Sequence, residues 1–274
     1  MNEENIKKIV RDRYAKVAKT NGSCCNANTN CCTTPSDKQI SKLVGYSQEE
    51  ISEVPPGANL GLGCGNPTAL ATLKEGEKVM DLGSGAGFDC FLASKKVGQT
   101  GKVIGIDMTP EMIDKARLNA QKGNYTNVEF RLGEIENLPS ADNSVDIVIS
   151  NCVINLSPDK KRVFQEAHRV LTPTGRLMVS DIVLLKPLPD ALRQSVEAYV
   201  GCIAGAELKN NYLELIIEAG FQNVKILQEK VYPLDCIISE PKTTATLTSL
   251  GMTLQEAKQA TDLVVSISVL ATKQ

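Results

Sequence analysis

The chain has 274 residues, 42% hydrophobic and 23% charged, with 30 basic and 32 acidic side chains and a formal net charge of -2. This is an ordinary globular composition, long enough to bury a full core, without the basic excess of a nucleic-acid binder. No run approaches the roughly 18 apolar residues of a membrane helix, and MNEENIKKIVRDRY lacks the apolar core of a secretion signal. No nucleic-acid or membrane partner is therefore expected, and a cytoplasmic location is. Nine cysteines accompany a single histidine. In a reducing compartment such a density suits metal, metalloid or redox chemistry better than a disulfide framework. One histidine argues against a His-rich zinc enzyme and a conventional Ser-His-Asp hydrolase.

In chain order, Ile6, Ile9, Val10, Tyr14 and Val17 recur at helical spacing within residues 3–18 and predict a short amphipathic helix. The polar stretch TNGSCCNANTNCCTTPSD at 20–37 reads as a loop carrying two vicinal cysteine pairs, Cys24-Cys25 and Cys31-Cys32. Between 40 and 74 lie a helix start at Ser47-Gln48-Glu49-Glu50, the turn Val54-Pro55-Pro56-Gly57, the glycine-rich GLGCGNP at 61–67 and a second helix from about Pro67 to Leu73. From Glu77 strands alternate with helices. Strands are predicted at 78–82, 103–106, 128–132, 145–150, 175–183, 223–229 and 263–272, and helices near 87–97, 110–122, 159–170, 189–201 and 209–219. The alternation predicts an α/β fold, Rossmann-like, with a mostly parallel seven-stranded sheet and helices on both faces. No helical crossover separates the last two strands, so an antiparallel edge strand is expected. Three parts follow: an N-terminal cysteine-bearing wrap (1–74), a nucleotide-binding core (75–183) and a C-terminal part completing the sheet (184–274).

The stretch 77–107 organises the chain. A strand ends in Asp81, Gly83-Ser84-Gly85-Ala86-Gly87 forms a turn, a helix follows, and a second strand closes on Asp107. Glycines there let the backbone approach a ligand closely, and an acid ending the second strand can grip a ribose diol. The pattern fits a nicotinamide cofactor, a flavin or S-adenosylmethionine. Spacing of the type G-x-G-x-G, with Asp81 directly before it, leans towards the last, since a pyrophosphate avoids a nearby anion. A tight turn without ligand needs neither three alternate glycines nor two strand-end aspartates. Ligands of such sheets lie beyond the carboxyl ends of the strands. The further candidates are thus Met108 and Thr109, then Glu134 and Ile135, then Asn151 and Cys152, with Glu134 able to accept from an adenine amine and Met108 and Ile135 able to sandwich the ring.

Through DLGSGAG, IDMTPEMIDKAR and GEIENLP the sequence resembles class I S-adenosylmethionine methyltransferases. More narrowly, RYAKVA before SCC, GLGCGNP, SNCVINLSPDK and the glycine-flanked cysteine of YVGCIAGAEL resemble the arsenite methyltransferases, from about Tyr14 to the end and more loosely beyond Leu227. The resemblance implies that Cys64, Cys152 and Cys202 hold arsenic(III), a soft centre that thiolates select. It implies in-line attack of the arsenic lone pair on the sulfonium methyl, without a general base. It also implies that Cys24 or Cys25 takes part in redox recharging, with Cys64 as partner and a thioredoxin-like protein or small thiol as reductant co-substrate. The substrates implied are trivalent arsenicals presented as thiol adducts, for detoxification, and a monomer is expected.

Animal members have one cysteine in the N-terminal loop where this chain has two pairs, so the identity of the redox thiol stays open between Cys24, Cys25, Cys31 and Cys32. A zinc site on these four fits poorly, because their spacing lacks a Cys-x-x-Cys pair. Cys90 reads as core packing, His168 as a helix-surface residue, and Cys236 has no assigned role. Two other functions compete: a methyltransferase for a small organic acceptor, against which stands the missing base beside Asn151-Cys152, and a non-catalytic metalloid-binding protein, against which stand the intact Asp81, Gly83, Gly85, Gly87 and Asp107.

Overall fold

The computed structural model describes residues 3–20, 36–188, 202–231 and 263–274. Cys24, Cys25, Cys31, Cys32 and Cys236, and the helix expected at 189–201, lie outside these residues.

Helix α1 (Glu3–Thr20) carries Glu3 and Glu4 in its first turn and Lys19 in its last, as the helix dipole favours, and buries Val10 and Ala18. Short helices α2 (Asp37–Leu43) and α3 (Gln48–Glu53) each start in a capping box, from Ser36 with Gln39 and from Ser47 with Glu50. The first of these boxes marks a helix that apolar periodicity does not show. Helix α4 (Pro67–Leu70) starts with an Asn66 cap and Pro67. It stops short of Leu73 because Thr72 takes a φ of 48°, which no helix accommodates.

The sheet consists of β1 (Lys78–Leu82), β2 (Lys102–Asp107), β3 (Val128–Leu132), β4 (Val145–Asn151), β5 (Leu171–Leu184), β6 (Gln222–Val231) and β7 (Val264–Thr272), in the order β3-β2-β1-β4-β5-β7-β6. Strands β1 to β5 pair in parallel and β7 pairs antiparallel with both β5 and β6. The strand that runs against the rest therefore lies one place in from the edge, and β6 forms the edge itself. Helices α5 (Phe88–Val97), α6 (Pro110–Lys122), α7 (Lys160–Val170) and α8 (Lys209–Glu218) flank the sheet. Strand β5 is longer than expected because it pairs with β4 from Val145↔Leu171 across an irregularity and runs on beside β7 past the end of β4.

Both sheet faces are covered by apolar side chains. Phe164 and Tyr212 pack over Leu82 and Ile267 on one, while Phe91 and Ile113 pack over Val79 and Ile147 on the other. A third cluster, past the end of β4 and along the last residues of β5, gathers Val10, Leu156, Ile182 and Leu184 around three cysteines. Strand order reverses between β1 and β4, which places Asp81 and Asn151 on either side of the switch point where doubly wound sheets bind ligands.

Candidate active site

A solvent-open cleft of about 1090 Å³ lies over this switch point. Its wall includes Asp81, Gly83, Ser84, Gly85, Asp107, Met108, Thr109, Ile135, Asn151 and Cys152 from the expected set. The glycine turn holds its shape through positive φ at Gly83, Gly85 and Gly87. A side chain on Gly83 would collide with Val153, and one on Gly87 with Phe91 and Phe130, so Gly87 serves packing and caps α5 outside the cleft lining. Asp107 accepts from the backbone N–H of Gly85 at 2.9 Å and of Thr109 at 2.8 Å, which fixes the carboxylate at the end of β2 and leaves lone pairs for a diol.

Glu134 is placed differently from the expectation of an adenine contact. It pairs with Lys7 at 2.7 Å and Arg11 at 3.7 Å of α1 and lies outside the cleft lining, whereas its neighbour Glu136 lines the cleft. Helix α1 thus lies across the mouth, with Lys7, Val10 and Tyr14 reaching into it.

The donor set suits S-adenosylmethionine. Asp81 and Asp89 are buried at the glycine turn, and desolvation first, then their mutual repulsion, holds Asp81 well above the usual carboxylate range. Desolvation likewise pushes Asp89 up to about 6, against the hydrogen bonds from Tyr46 and Asn151. Two crowded carboxylates favour a cationic ligand and oppose a pyrophosphate. Ser84 Oγ and Asn59 Nδ2, both on the cleft wall, are buried without a partner among the described residues. They are donors that a ligand carboxylate or hydroxyl would satisfy. Asp89 and Asn59 are not among the residues expected from sequence. An acid in the first turn after the glycines is the available signal for Asp89, and nothing local marks Asn59.

The structure brings Cys64, Cys152 and Cys202 together, exposed by only 3%, 6% and 4%. Cys152 follows β4 and donates its N–H to the Ser180 carbonyl of β5 at 2.8 Å. The Cys202 thiol donates to the Cys152 carbonyl at 2.9 Å. Cys64 is held by flanking glycines. A Cβ on Gly63 would stand 2.6 Å from Asn151 Nδ2 and one on Gly65 2.6 Å from Ser180 Cβ, so only glycine lets this loop dock. Its thiol donates to the Ser180 carbonyl at 3.5 Å. Cys152 and Cys202 both adopt left-handed backbone, with φ of 59° and 64°. For non-glycine residues this costs about 1–3 kcal/mol each, and such strain concentrates at functional sites.

The Cys64 and Cys152 sulfurs and an Asp181 carboxylate oxygen all lie within 4.8 Å of one another. Asp181 is buried on β5, level with the end of β4 because Asn151 pairs with Ser180. It accepts from Asn155 at 2.8 Å, its neighbour's Ile182 N–H at 2.9 Å and the Tyr212 hydroxyl at 3.1 Å, while desolvation lifts it to about 7. The thiols are raised too. Burial raises Cys64. The bond with Cys152 and then burial raise Cys202. Cys152 rises because its contact with Cys64 and its burial together outweigh the opposing hydrogen bond of Cys202. The free pocket is therefore a nest of neutral thiols. Tyr14 leans on it from α1, its phenol raised by desolvation and then by Cys202, Cys152 and Asp107, so it bridges the two halves of the site. In the sequence Tyr14 shows as one of the periodic residues of a helix and as part of the RYAKVA stretch, with no role attached, and Asp181 lies inside a predicted strand.

Cys90 is buried in the core as expected and also donates its thiol to Asp81 at 3.2 Å. His168 is half-buried, edge-on to Phe221 with ring centroids 5.1 Å apart, and away from the cleft.

Comparison with known proteins agrees with this geometry. A family model described as a methyltransferase domain matches residues 73–220. An arsenite methyltransferase of Halobacterium salinarum is 49% identical over 81% of this chain and 59% of its own length. One of Aquipseudomonas alcaligenes is 36% identical over 81% and 63%. Among solved structures, CrArsM, an arsenic(III) S-adenosylmethionine methyltransferase from Chlamydomonas reinhardtii, superposes with a TM-score of 0.62 at 31% identity over 88% of this chain and 74% of that one. The chain belongs to the methyltransferase-domain family and, within it, to the arsenite methyltransferases. It spans about three-fifths of the length of those two curated relatives.

Proposed function

We propose that the chain transfers the methyl group of S-adenosylmethionine to trivalent arsenic held by Cys64, Cys152 and Cys202. The observation that carries this is the meeting of three buried thiols with the wall of a cofactor cleft, at Cys152. Soft thiolates select a soft metalloid over hard cations, and arsenic bound to three of them keeps a lone pair on its open side. Bound S-adenosylmethionine supplies the sulfonium methyl and leaves as S-adenosylhomocysteine. The residues do the rest by placement. Asp107 holds the ribose, Asp81 and Asp89 receive the ammonium, Met108 and Ile135 flank the base, and Cys152 presents the metalloid at the cleft wall. The nucleophile carries no proton to remove, so the site needs no general base and works by positioning in a water-poor pocket.

Methylation raises arsenic formally from the trivalent to the pentavalent state, and two electrons must return it. Two thiols can supply them by closing a disulfide, which a small thiol or thioredoxin-like reductant reopens. We assign that role to Cys64 with one of the N-terminal cysteines Cys24 and Cys25. Cytoplasmic thiol-bound arsenicals as substrates, a detoxifying role and a monomeric state complete the reading. Among the described residues no helix is long and apolar enough to cross a membrane.

The test is turnover. Purified protein with S-adenosylmethionine, arsenite and a thiol reductant should yield methylated arsenicals with one S-adenosylhomocysteine per methyl. Protein that binds the cofactor yet gives no methylarsenical sinks the proposal.

A further inference from the structure

Asp181 belongs to the thiol pocket, yet holding arsenic gives it no part. Arsenic(III) on three thiolates is complete, its remaining direction taken by the lone pair. A buried carboxylate stands there all the same: one Asp181 oxygen and the Cys64 and Cys152 sulfurs lie within 4.8 Å of one another.

That carboxylate is held from behind. Oδ1 accepts from Asn155 Nδ2 at 2.8 Å and from the Ile182 N–H at 2.9 Å, and Oδ2 accepts from the Tyr212 hydroxyl at 3.1 Å. Asn155 Nδ2 also donates to the Ile182 carbonyl at 2.6 Å, which ties it to β5. A carboxylate offers about four lone-pair sites, so these bonds fix its orientation and leave one site open on Oδ2. Carboxylates that ligate metals are oriented by outer-shell donors in this manner. Neutral donors do not balance a buried negative charge, which calls for a cation. Lys160, 10% exposed, acts on Asp181 and Cys202 through space, but its ammonium donates to the Ser157 carbonyl at 3.2 Å and pairs with Glu207 at 3.9 Å.

Thiols beside a fixed carboxylate form a donor set for zinc. Zinc takes cysteine sulfur at about 2.3 Å and carboxylate oxygen at about 2.0–2.2 Å in a tetrahedron, whose corners then stand about 3.5–3.8 Å apart. Rotation of the Cys64 and Cys152 side chains supplies the contraction from the observed spread. Cys202 supplies the fourth corner, since its thiol bonds to the Cys152 carbonyl at 2.9 Å and to the Cys152 thiol.

We propose that the thiol pocket is also a zinc site, with Asp181 as an oxygen ligand beside Cys64, Cys152 and Cys202, and that zinc and arsenite exclude each other there. On binding, zinc displaces the thiol protons to solvent. Having no redox chemistry of its own, it keeps the three sulfurs from closing a disulfide. Asp181 distinguishes the two guests, because zinc requires a fourth ligand and accepts oxygen, whereas arsenic is complete with three sulfurs. The exclusion rests on the arsenic reading; the zinc site itself does not.

Zinc titrations against a chromophoric chelator test it, on protein in which Cys24, Cys25, Cys31 and Cys32 are replaced by serine so that those thiols do not compete. One zinc per chain should bind, and X-ray absorption at the zinc edge should show a shell of sulfurs with one oxygen, a readout that needs no change at Asp181. Saturating zinc should suppress the thiolate–arsenic absorbance. Asp181→Asn should weaken zinc at least about tenfold, the lower end of what even outer-shell changes cost metal sites, and the loss should exceed any loss for arsenite. No bound zinc, a shell without oxygen or with fewer than two sulfurs, arsenite binding untouched by zinc, or equal losses for both guests in Asp181→Asn overturns the site. Zinc held in the mixed shell by protein that never binds arsenite overturns the arsenic reading and leaves the zinc site standing.

Discussion

The cofactor cleft takes its shape from the backbone of one continuous stretch, 77–107, in which three glycines hold positive φ; the thiol pocket takes its shape from side chains at 64, 152, 181 and 202. In the first, flexibility of residue type is removed by geometry: a Cβ at Gly83 meets Val153, and one at Gly105 stands 2.7 Å from Phe130. In the second, ordinary residues are bent into glycine-like conformations, Cys152 and Cys202 both being left-handed. The comparison teaches that the cleft rests on local backbone freedom, while the thiol pocket depends on long-range docking and stored strain. The two meet at Asn151 and Cys152, which are adjacent in sequence at the end of β4.

The largest effect should separate the halves outright. Cys152→Ser and Cys202→Ser should each lower arsenite turnover by at least about a hundredfold, some 3 kcal/mol of transition-state stabilisation, while calorimetric titration shows unaltered cofactor affinity. Full activity in either variant would end the assignment of the thiols. Gly83→Ala should act in the opposite sense. Its collision with Val153 should weaken S-adenosylhomocysteine by more than about tenfold and leave arsenite bound to Cys152 and Cys202 in the absence of cofactor.

A smaller effect comes from Asp181. Its folded-state pKa, about 7, stands above the usual carboxylate range because it is desolvated. The folded chain therefore binds this proton more tightly than the unfolded chain. Stability falls as pH rises from about 4 towards 7, by up to about 1.4 kcal/mol for each pH step of one in that window, and this contribution is level above it. Urea unfolding at pH 5, 6 and 7.5 should show a shallower decline in Asp181→Asn; parallel profiles would place the strain elsewhere. The smallest effect is expected at Glu134→Gln. A partly exposed pair with Lys7 is worth at most about 1 kcal/mol, and cofactor affinity should stay within about twofold. A tenfold loss would restore Glu134 as a contact to the adenine.

Most of the donor half is legible in residue order. Alternation of apolar runs marks the strands, and strand-end acids with alternate glycines mark the cleft, because each of these signals lies within one turn or strand. The α2 helix is not legible in apolar periodicity, since its cue is a capping box around Ser36 and only Ser41 of its residues is buried. The acceptor half is legible only as a resemblance. No local pattern says that the glycines around Cys64 exist to approach Asn151 and Ser180, or that β5 outruns β4 and carries Asp181 to the thiols. The pairing of Glu134 is illegible for the same reason, its partner Lys7 being 127 positions away on α1.

X-ray absorption at the arsenic edge of the arsenite-loaded protein, with S-adenosylhomocysteine present, tests the account most directly. Three sulfur neighbours and no oxygen are expected, falling to two sulfurs in Cys64→Ser. Arsenic with a single sulfur neighbour, or an unchanged sulfur count in that variant, would contradict a metalloid held by Cys64, Cys152 and Cys202.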